Sequence, residues 1–265
     1  MKHIVFYSGG IGSWATAKRV VEKHGKENTI LLFTDTKMED ADLYRFIKET
    51  VEEIGAEYVQ LEDGRTPWEV FNDVRFLGNS RIAPCSHYLK QKPANDWVKS
   101  NFKPDECVLY LGIDWTEEHR TKAPIKNYAP YEIRFPMCEE PFLTKDDMLA
   151  ELNKLGIETP NLYKRGYSHN NCSGFCVRAG QGHFAHLLKD NPDLYKHHEA
   201  KEQEIREYLG KDVSILRRTK KGVRYNLTLK ELREEIEGNQ TDSIDFNDIG
   251  GCGCFVTDEG GDSEL

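Results

Sequence analysis

No apolar run in this chain approaches the ~20 residues that span a bilayer. No charged-then-apolar leader opens it either. Both absences point to a soluble, cytoplasmic protein with no membrane partner. Positive charge is also short: 36 Lys and Arg against 45 Asp and Glu leave a net charge of −9. Nucleic-acid binders usually carry a basic footprint. The one local basic run, Arg217-Arg218-Thr219-Lys220-Lys221, reads as a solvated loop. Missing too are the Gly-Lys-Ser/Thr ending of the common P-loop, the glycine spacing of dinucleotide folds, CxxC pairs of zinc-ribbon type and any internal repeat.

What the chain does have begins at its start. The apolar stretch His3–Tyr7 breaks into Ser8-Gly9-Gly10-Ile11-Gly12-Ser13 and turns at once into a helical pattern running to Lys23. Glycines let the backbone approach a ligand closely. The N–H groups of a first helical turn, with the helix dipole behind them, then face an anion. Ser8 and Ser13 add hydroxyl donors. Three glycines and two serines in six residues exceed what an ordinary tight turn requires.

Strand and helix signals alternate through the first half. Ile30–Thr34 reads as a buried strand. Leu43, Phe46, Ile47, Val51 and Ile54 recur at helical spacing, and Gly55 stops that helix. Glu57–Leu61 and Cys107–Ile113 read as further strands, the latter after a helix near 92–100. Such βαβ units predict an α/β fold: a mainly parallel, twisted sheet with helices on both faces. Ligands bind beyond the carboxyl ends of strands in such sheets. The 8–13 loop, Thr34-Asp35-Thr36 and Gly112-Ile113-Asp114 all lie at such ends. A nucleotide site is therefore expected from Tyr7, Ser8, Gly9, Gly10, Gly12, Ser13, Thr34, Asp35, Arg81 and Gly112. Asp35 can hydrogen-bond a nucleotide or hold a magnesium ion. Glu39, Asp40 and Asp42 read as the first turn of the next helix.

Arg81 and Lys90 form a second cluster suited to phosphate or sulfate, Arg as a bidentate fork and Lys as a point charge. Glu117 and Arg120, three apart, can pair and present a guanidinium to an anion. The second half is mostly helical and loop-rich. Helical patterns cover 144–155, 183–188 and 192–209 around a Gly/Asn/Cys-rich loop at 166–182, and Thr228 to Glu231 forms a capping box. The expected division is a nucleotide-binding domain, 1–215, and a C-terminal extension, 216–265. The apolar Gly250–Val256 island in an otherwise polar tail implies that the tail is pinned to something. Of seven cysteines, Cys107 and Cys138 look like small core residues. Cys172, Cys176, Cys252 and Cys254 supply two close pairs with glycine neighbours, and Cys85 a fifth thiol. These fit a tetrahedral thiolate site for zinc or an iron–sulfur cluster, or a redox cysteine.

Ser8–Ser13 resembles the PP-loop, Ser-Gly-Gly-x-x-Ser, of the ATP-pyrophosphatase superfamily. Further stretches resemble the phosphoadenosine phosphosulfate reductase family within it. Gly112, Ile113, Glu117 and Arg120 match that family's Gly-Ile-Arg-x-x-Glu-Ser-x-x-Arg. Phe135-Pro136 through Asp147, and Asn161-Leu-Tyr-x-x-Gly166 followed by Cys172 and Cys176, match its segments around the cysteine loop. The interval from Cys85 to Cys172 is similar to the one between cysteine pairs in the family's iron–sulfur members, which implies Cys85, Cys172 and Cys176 as 4Fe-4S ligands, with Cys252 and Cys254 as further candidates.

The departures are as informative. Cys85 is single, the second pair is CxxxC, and Asp114 replaces the motif's arginine. Gly-Cys-Gly-Cys-Phe stands where the reductases carry Glu-Cys-Gly-Leu/Ile-His. The resemblance thus implies an ATP- and magnesium-dependent enzyme of the sulfurtransferase-like branch, typified by DNA phosphorothioation and RNA thiolation. It would adenylate an acceptor, release pyrophosphate and transfer sulfur, with Ser13, Asp35, Lys90 and Arg120 as catalytic residues. The alternatives are an adenylyl-sulfate or phosphoadenylyl-sulfate reductase and a non-catalytic nucleotide- and metal-binding protein. The acceptor (nucleic acid, nucleotide or small molecule), any sulfur-donor protein and the oligomeric state, homodimer included, stay open.

Overall fold

A computed structural model describes residues 1–170 and 172–251. Five parallel strands form one sheet in the order β3-β2-β1-β4-β5. They are β1 (Lys2–Phe6), β2 (Thr29–Asp35), β3 (Glu57–Glu62), β4 (Cys107–Tyr110) and β5 (Glu132–Arg134). The α/β expectation holds. β1 is central and runs beside both β2 and β4, with Val5 level with Leu31 on one side and Tyr110 on the other. Alternate residues of β1 serve opposite layers. Val5 packs with Trp14, Phe33 and Phe46. Ile4 and Phe6 pack with Leu32, Val98 and Leu109. Burial on both faces explains the continuous apolar runs in β1, β2 and β4. β5 escaped the sequence reading because it is three residues long at the sheet edge.

The connections are helical. α1 (Ile11–His24) follows β1, and α2 (Ala41–Ile54) follows β2. Asp40 caps α2 by accepting from the Asp42 amide at 2.9 Å, and Gly55 ends it at φ 68. Glu39 therefore lies one residue before the cap and outside the helix. α3 (Pro67–Asp73) starts at a Thr66–Glu69 capping box. The short α4 (Pro84–Ser86) runs through a π turn, His87–Gln91, into α5 (Lys92–Asn101). α6 (Lys122–Asn127) follows β4, then α7 (Lys145–Lys154) and α8 (Asn161–Lys164) follow β5. The sheet connection reverses after β3, since the chain crosses β2 and β1 to reach β4. The ends of β1 and β4 therefore flank the topological switch point.

A second core lies beyond the sheet. α9 (Gln181–Asp190), α10 (Pro192–Leu209) and α11 (Leu229–Glu237) enclose Phe175, Phe184, Tyr195, Ile205 and Leu232, with Trp68 and Phe71 from α3. Leu216, Leu227 and Leu229 share this core with residues before position 215. The basic run is not a loop. Leu216–Lys220 (β6) pairs antiparallel with Val223–Leu227 (β7) across a turn in which Lys221 and Gly222 have φ 50 and 77. Positive φ at both positions gives a two-residue hairpin turn. Charged side chains masked its alternation. Arg218 points inward and is held bidentately by Glu235 at 2.7 and 2.8 Å. Among the described residues, no helix is long and apolar enough to cross a membrane.

Candidate functional site

The glycine loop shows why each of its residues is there. β1 ends at Phe6, and Gly9 then adopts φ 75, a left-handed backbone where a side chain would also press on Leu43 and Ile47 at 3.0–3.1 Å. Gly10 is the extended N-cap of α1 and has no side chain with which to cap the helix. The Ser13 hydroxyl donates to the Gly10 carbonyl at 2.8 Å, and Ser8 Oγ lies 3.4 Å from Ser13 Oγ. Gly12 meets Gly112 backbone to backbone. A Cβ on Gly112 would fall 2.8 Å from the Gly12 carbonyl oxygen and 3.0 Å from the Ser13 nitrogen. The two loops at the switch point are thus locked by a contact that only glycine allows.

They open onto a crevice of about 220 Å³. Of the expected site residues, Ser8, Gly10, Gly12, Ser13, Lys90, Gly112 and Arg120 line it. The expected Glu117–Arg120 pair is present at 2.5 Å, at the crevice wall. The other expected residues do not line it. Gly9 sits behind the loop. Tyr7 is buried and donates to Thr50 Oγ1 at 2.6 Å, and burial holds its hydroxyl far above the usual phenol range. Thr34 and Asp35 are buried, and both Asp35 oxygens are engaged: Oδ1 by the Lys37 amide and the Tyr44 hydroxyl, Oδ2 by Gln60. Arg81 is on the surface, where its carbonyl accepts from Arg178, and it does not line the crevice.

Four crevice residues were not legible in the sequence. Lys145 lies over the Tyr163 ring at 3.9 Å and donates to the Ser168 carbonyl at 3.1 Å. Burial pushes its ammonium below the ordinary lysine range, which marks a cation short of water. The Tyr163 hydroxyl accepts from the Ile11 amide in the first turn of α1 at 3.1 Å. His169 is pulled down to about 4, mainly by burial, and is therefore neutral at physiological pH. Asn170, 3% exposed, donates to the Gly9 carbonyl at 2.8 Å, and its own carbonyl oxygen is buried with no partner among the described residues. An orphaned acceptor at a cavity wall calls for a donor from a ligand or water. The nearest sequence signal was the aromatic, amide-rich stretch 161–171, whose role depends on a long-range return to the glycine loop.

The thiols come together behind Lys90. Cys85, Cys172 and Cys176 line one small cavity with Lys90, Met38 and Phe175. Cys172, Ser173 and Gly174 are three successive left-handed residues, at φ 50, 51 and 82. Two of them are not glycine, so the turn is strained and must be held from outside. Glu39 does this. One of its oxygens accepts the Cys172 amide, and the other accepts the Thr36 hydroxyl at 3.0 Å and lies 3.3 Å from Lys90 Nζ. Ser173 donates to the Met38 carbonyl at 3.1 Å. The chain is held at the start of the expected island, whose residues from 252 on lie outside the described residues. Ala179 bridges Gly250, and the amides of Gly180 and Gly182 donate to Ile249 and Asp248. Cys252 and Cys254 lie outside the described residues. Among the described residues, no group of three or more His, Cys, Asp or Glu is arranged to hold a metal ion. Cys107 is a buried core residue whose thiol burial pushes up to about 11, and Cys138 is raised for the same reason.

No protein-family model matches this chain, and no curated protein matches it. Among solved structures, it is similar to an NH3-dependent NAD synthetase from Campylobacter jejuni in complex with nitrate. The two are 13% identical over 80% of this chain and 84% of that one, with a TM-score of 0.43. A likeness at that level carries no argument about activity.

Proposed function

We propose that the chain is an ATP-using enzyme whose glycine loop cradles the polyphosphate tail, adenylates an acceptor and releases pyrophosphate. One observation carries this reading. In a chain of net charge −9, three cations, Lys90, Arg120 and Lys145, converge on the crevice formed by the start of α1 and a glycine-on-glycine lock. An acid-rich protein that gathers cations around helix-start amides is built for a multiply charged anion.

In the proposed step an acceptor oxygen attacks the α-phosphorus, the bond to the bridging oxygen breaks, and pyrophosphate departs. The start of α1 and the Ser8 hydroxyl hold the departing group, and the Ser13 hydroxyl joins them by turning from the Gly10 carbonyl. Lys90, Arg120 and Lys145 offset the charge that develops on it. The carboxylates on the crevice wall, Asp114 and Glu117, supply hard oxygen donors, which fits a magnesium ion held chiefly by the phosphates. Asp35 organises the loop after β2 in this reading, since its oxygens are committed there.

Sulfur transfer is the finer part of the proposal. Cys85, Cys172 and Cys176 share one cavity; thiolates are the donor type that zinc and iron–sulfur centres use, although among the described residues the three are not arranged to hold a metal ion. Such a centre would supply or activate sulfur. The chain's own contribution is to place the thiols next to Lys90, and so next to the phosphate crevice. Incubation with ATP, magnesium and candidate acceptors, followed by a pyrophosphate assay, tests the reading. Pyrophosphate release that Ser13→Ala diminishes supports it. Tight ATP binding with no product would leave a nucleotide-binding protein instead, and sulfite release from adenylyl sulfate with a thiol donor would identify a reductase.

A further inference from the structure

Lys90 belongs to two cavities at once. It lines the phosphate crevice and the thiol cavity, and its side chain is only 5% exposed. Its partner Glu39 is still more deeply buried, with a side chain 1% exposed. Glu39 uses one carboxylate oxygen toward Lys90 and the other toward the amide of Cys172. Thr36 donates to the oxygen that faces Lys90, which fixes the carboxylate between its partners. The Cys172–Gly174 turn has backbone angles that two non-glycine residues adopt only when held, and the Met38–Glu39 segment holds it twice, through Cys172 N and Ser173 Oγ. A single buried carboxylate thus stands between the crevice's innermost cation and a strained turn that carries a thiol.

We propose that Glu39 is a positioning residue that couples anion occupancy of the phosphate crevice to the Cys172–Gly174 turn. A phosphate that engages Lys90 competes with Glu39 for the ammonium. The carboxylate is then less neutralised and binds the Cys172 amide more strongly, since hydrogen bonds to a charged acceptor strengthen with its unshielded charge. Nucleotide arrival tightens the thiol turn, and departure loosens it. The coupling is reciprocal: a tightened turn raises affinity for the anion by the same factor. The inference rests on the proposed anion site and adds how that site communicates with the cysteines.

Hydrogen exchange on the full chain, with whatever metal it carries, reads the coupling directly at the amide concerned. Inorganic pyrophosphate is the probe, and its binding is measured separately by calorimetry. The expected result is that pyrophosphate slows exchange in the peptide containing Cys172 by at least about fivefold. In Glu39→Gln, pyrophosphate still binds but this protection disappears. Thr36→Val removes one donor from the same carboxylate and serves if Glu39→Gln does not fold; it is expected to reduce the protection. If pyrophosphate binds and exchange at the turn is unchanged, or if Glu39→Gln keeps the protection, the coupling is refuted while the anion site stands. If the wild-type chain does not bind pyrophosphate, the anion site itself fails and this inference with it.

Discussion

The glycine crevice and the cysteine turn abut through Lys90, and both take side chains from distant parts of the chain, but only the crevice has a glycine-on-glycine backbone lock at its centre. The crevice centres on a backbone-to-backbone contact, Gly12 against Gly112, and the Tyr163 and Asn170 side chains bond the Ile11 amide and the Gly9 carbonyl around it. The cysteine turn is held by side chains from distant parts of the chain. Glu39 reaches Cys172 across 133 positions, and Phe175 plugs the turn into the second core. A backbone lock of that kind can be specified by a short run of small residues. A turn that departs from favoured backbone angles needs partners that only the completed fold delivers.

The largest expected effect tests the second half of that contrast. Phe175 is 1% exposed, stacks on His198 at 3.7 Å and meets Phe184 edge-on. Phe175→Ala is expected to cost about 3–5 kcal/mol in chemical denaturation. If the turn were self-supporting, exchange at the peptide containing Cys172 would not speed up in this variant.

Acid comes next. Burial pulls His198 down from 6.5 to about 3, and it accepts from Trp68 Nε1 at 3.0 Å while neutral. A histidine with a depressed folded pKa contributes stability that is fully present above 6.5 and is lost as pH falls from there toward 3. His3 and His169, each pulled down to about 4, add to the same trend. Melting temperature should therefore fall steadily below pH 6.5. His198→Gln, whose amide oxygen can still accept from Trp68, should flatten that fall. An unaltered acid limb would remove His198 from the account.

On the crevice side, Gly112→Ala places a Cβ 2.8 Å from the Gly12 carbonyl oxygen, and neither backbone can swing away cheaply. We expect a loss of about 1–3 kcal/mol from overpacking, with pyrophosphate affinity falling by more than the stability loss explains. Equal affinity in this variant would show that the lock does not shape the cradle. Ser13→Ala is the mildest change. It removes the hydroxyl that donates to the Gly10 carbonyl and should lower pyrophosphate affinity about tenfold, roughly one hydrogen bond to a charged group, with a stability loss of no more than about 1 kcal/mol.

The sequence made much of the fold legible because each signal was local. Gly55 and the Thr228–Glu231 box end and begin helices as read, and the apolar runs of β1, β2 and β4 are strands buried on both faces. The hairpin at 216–227 was hidden because its alternation is carried by arginines, one of which turns inward only because Glu235 is there to receive it. At the site, the glycine loop, Lys90 and the Glu117–Arg120 pair could be named from spacing. Lys145, His169 and Asn170 could not, since nothing near them in the sequence says that this loop returns to the end of β1. Arg81 and Asp35 were named alongside true crevice residues because proximity along the chain is a poor guide to which way a loop turns.

The sequence by itself determined the alternation of strands and helices and the glycine loop, because those depend on side-chain periodicity and on which residues tolerate positive φ. Only the tertiary structure decided that Glu39, placed by its neighbours in a helix start, becomes the buried link between a lysine and a thiol turn. A carboxylate takes up such a position only where several donors converge to replace its water, and those donors come from three separate segments of the chain.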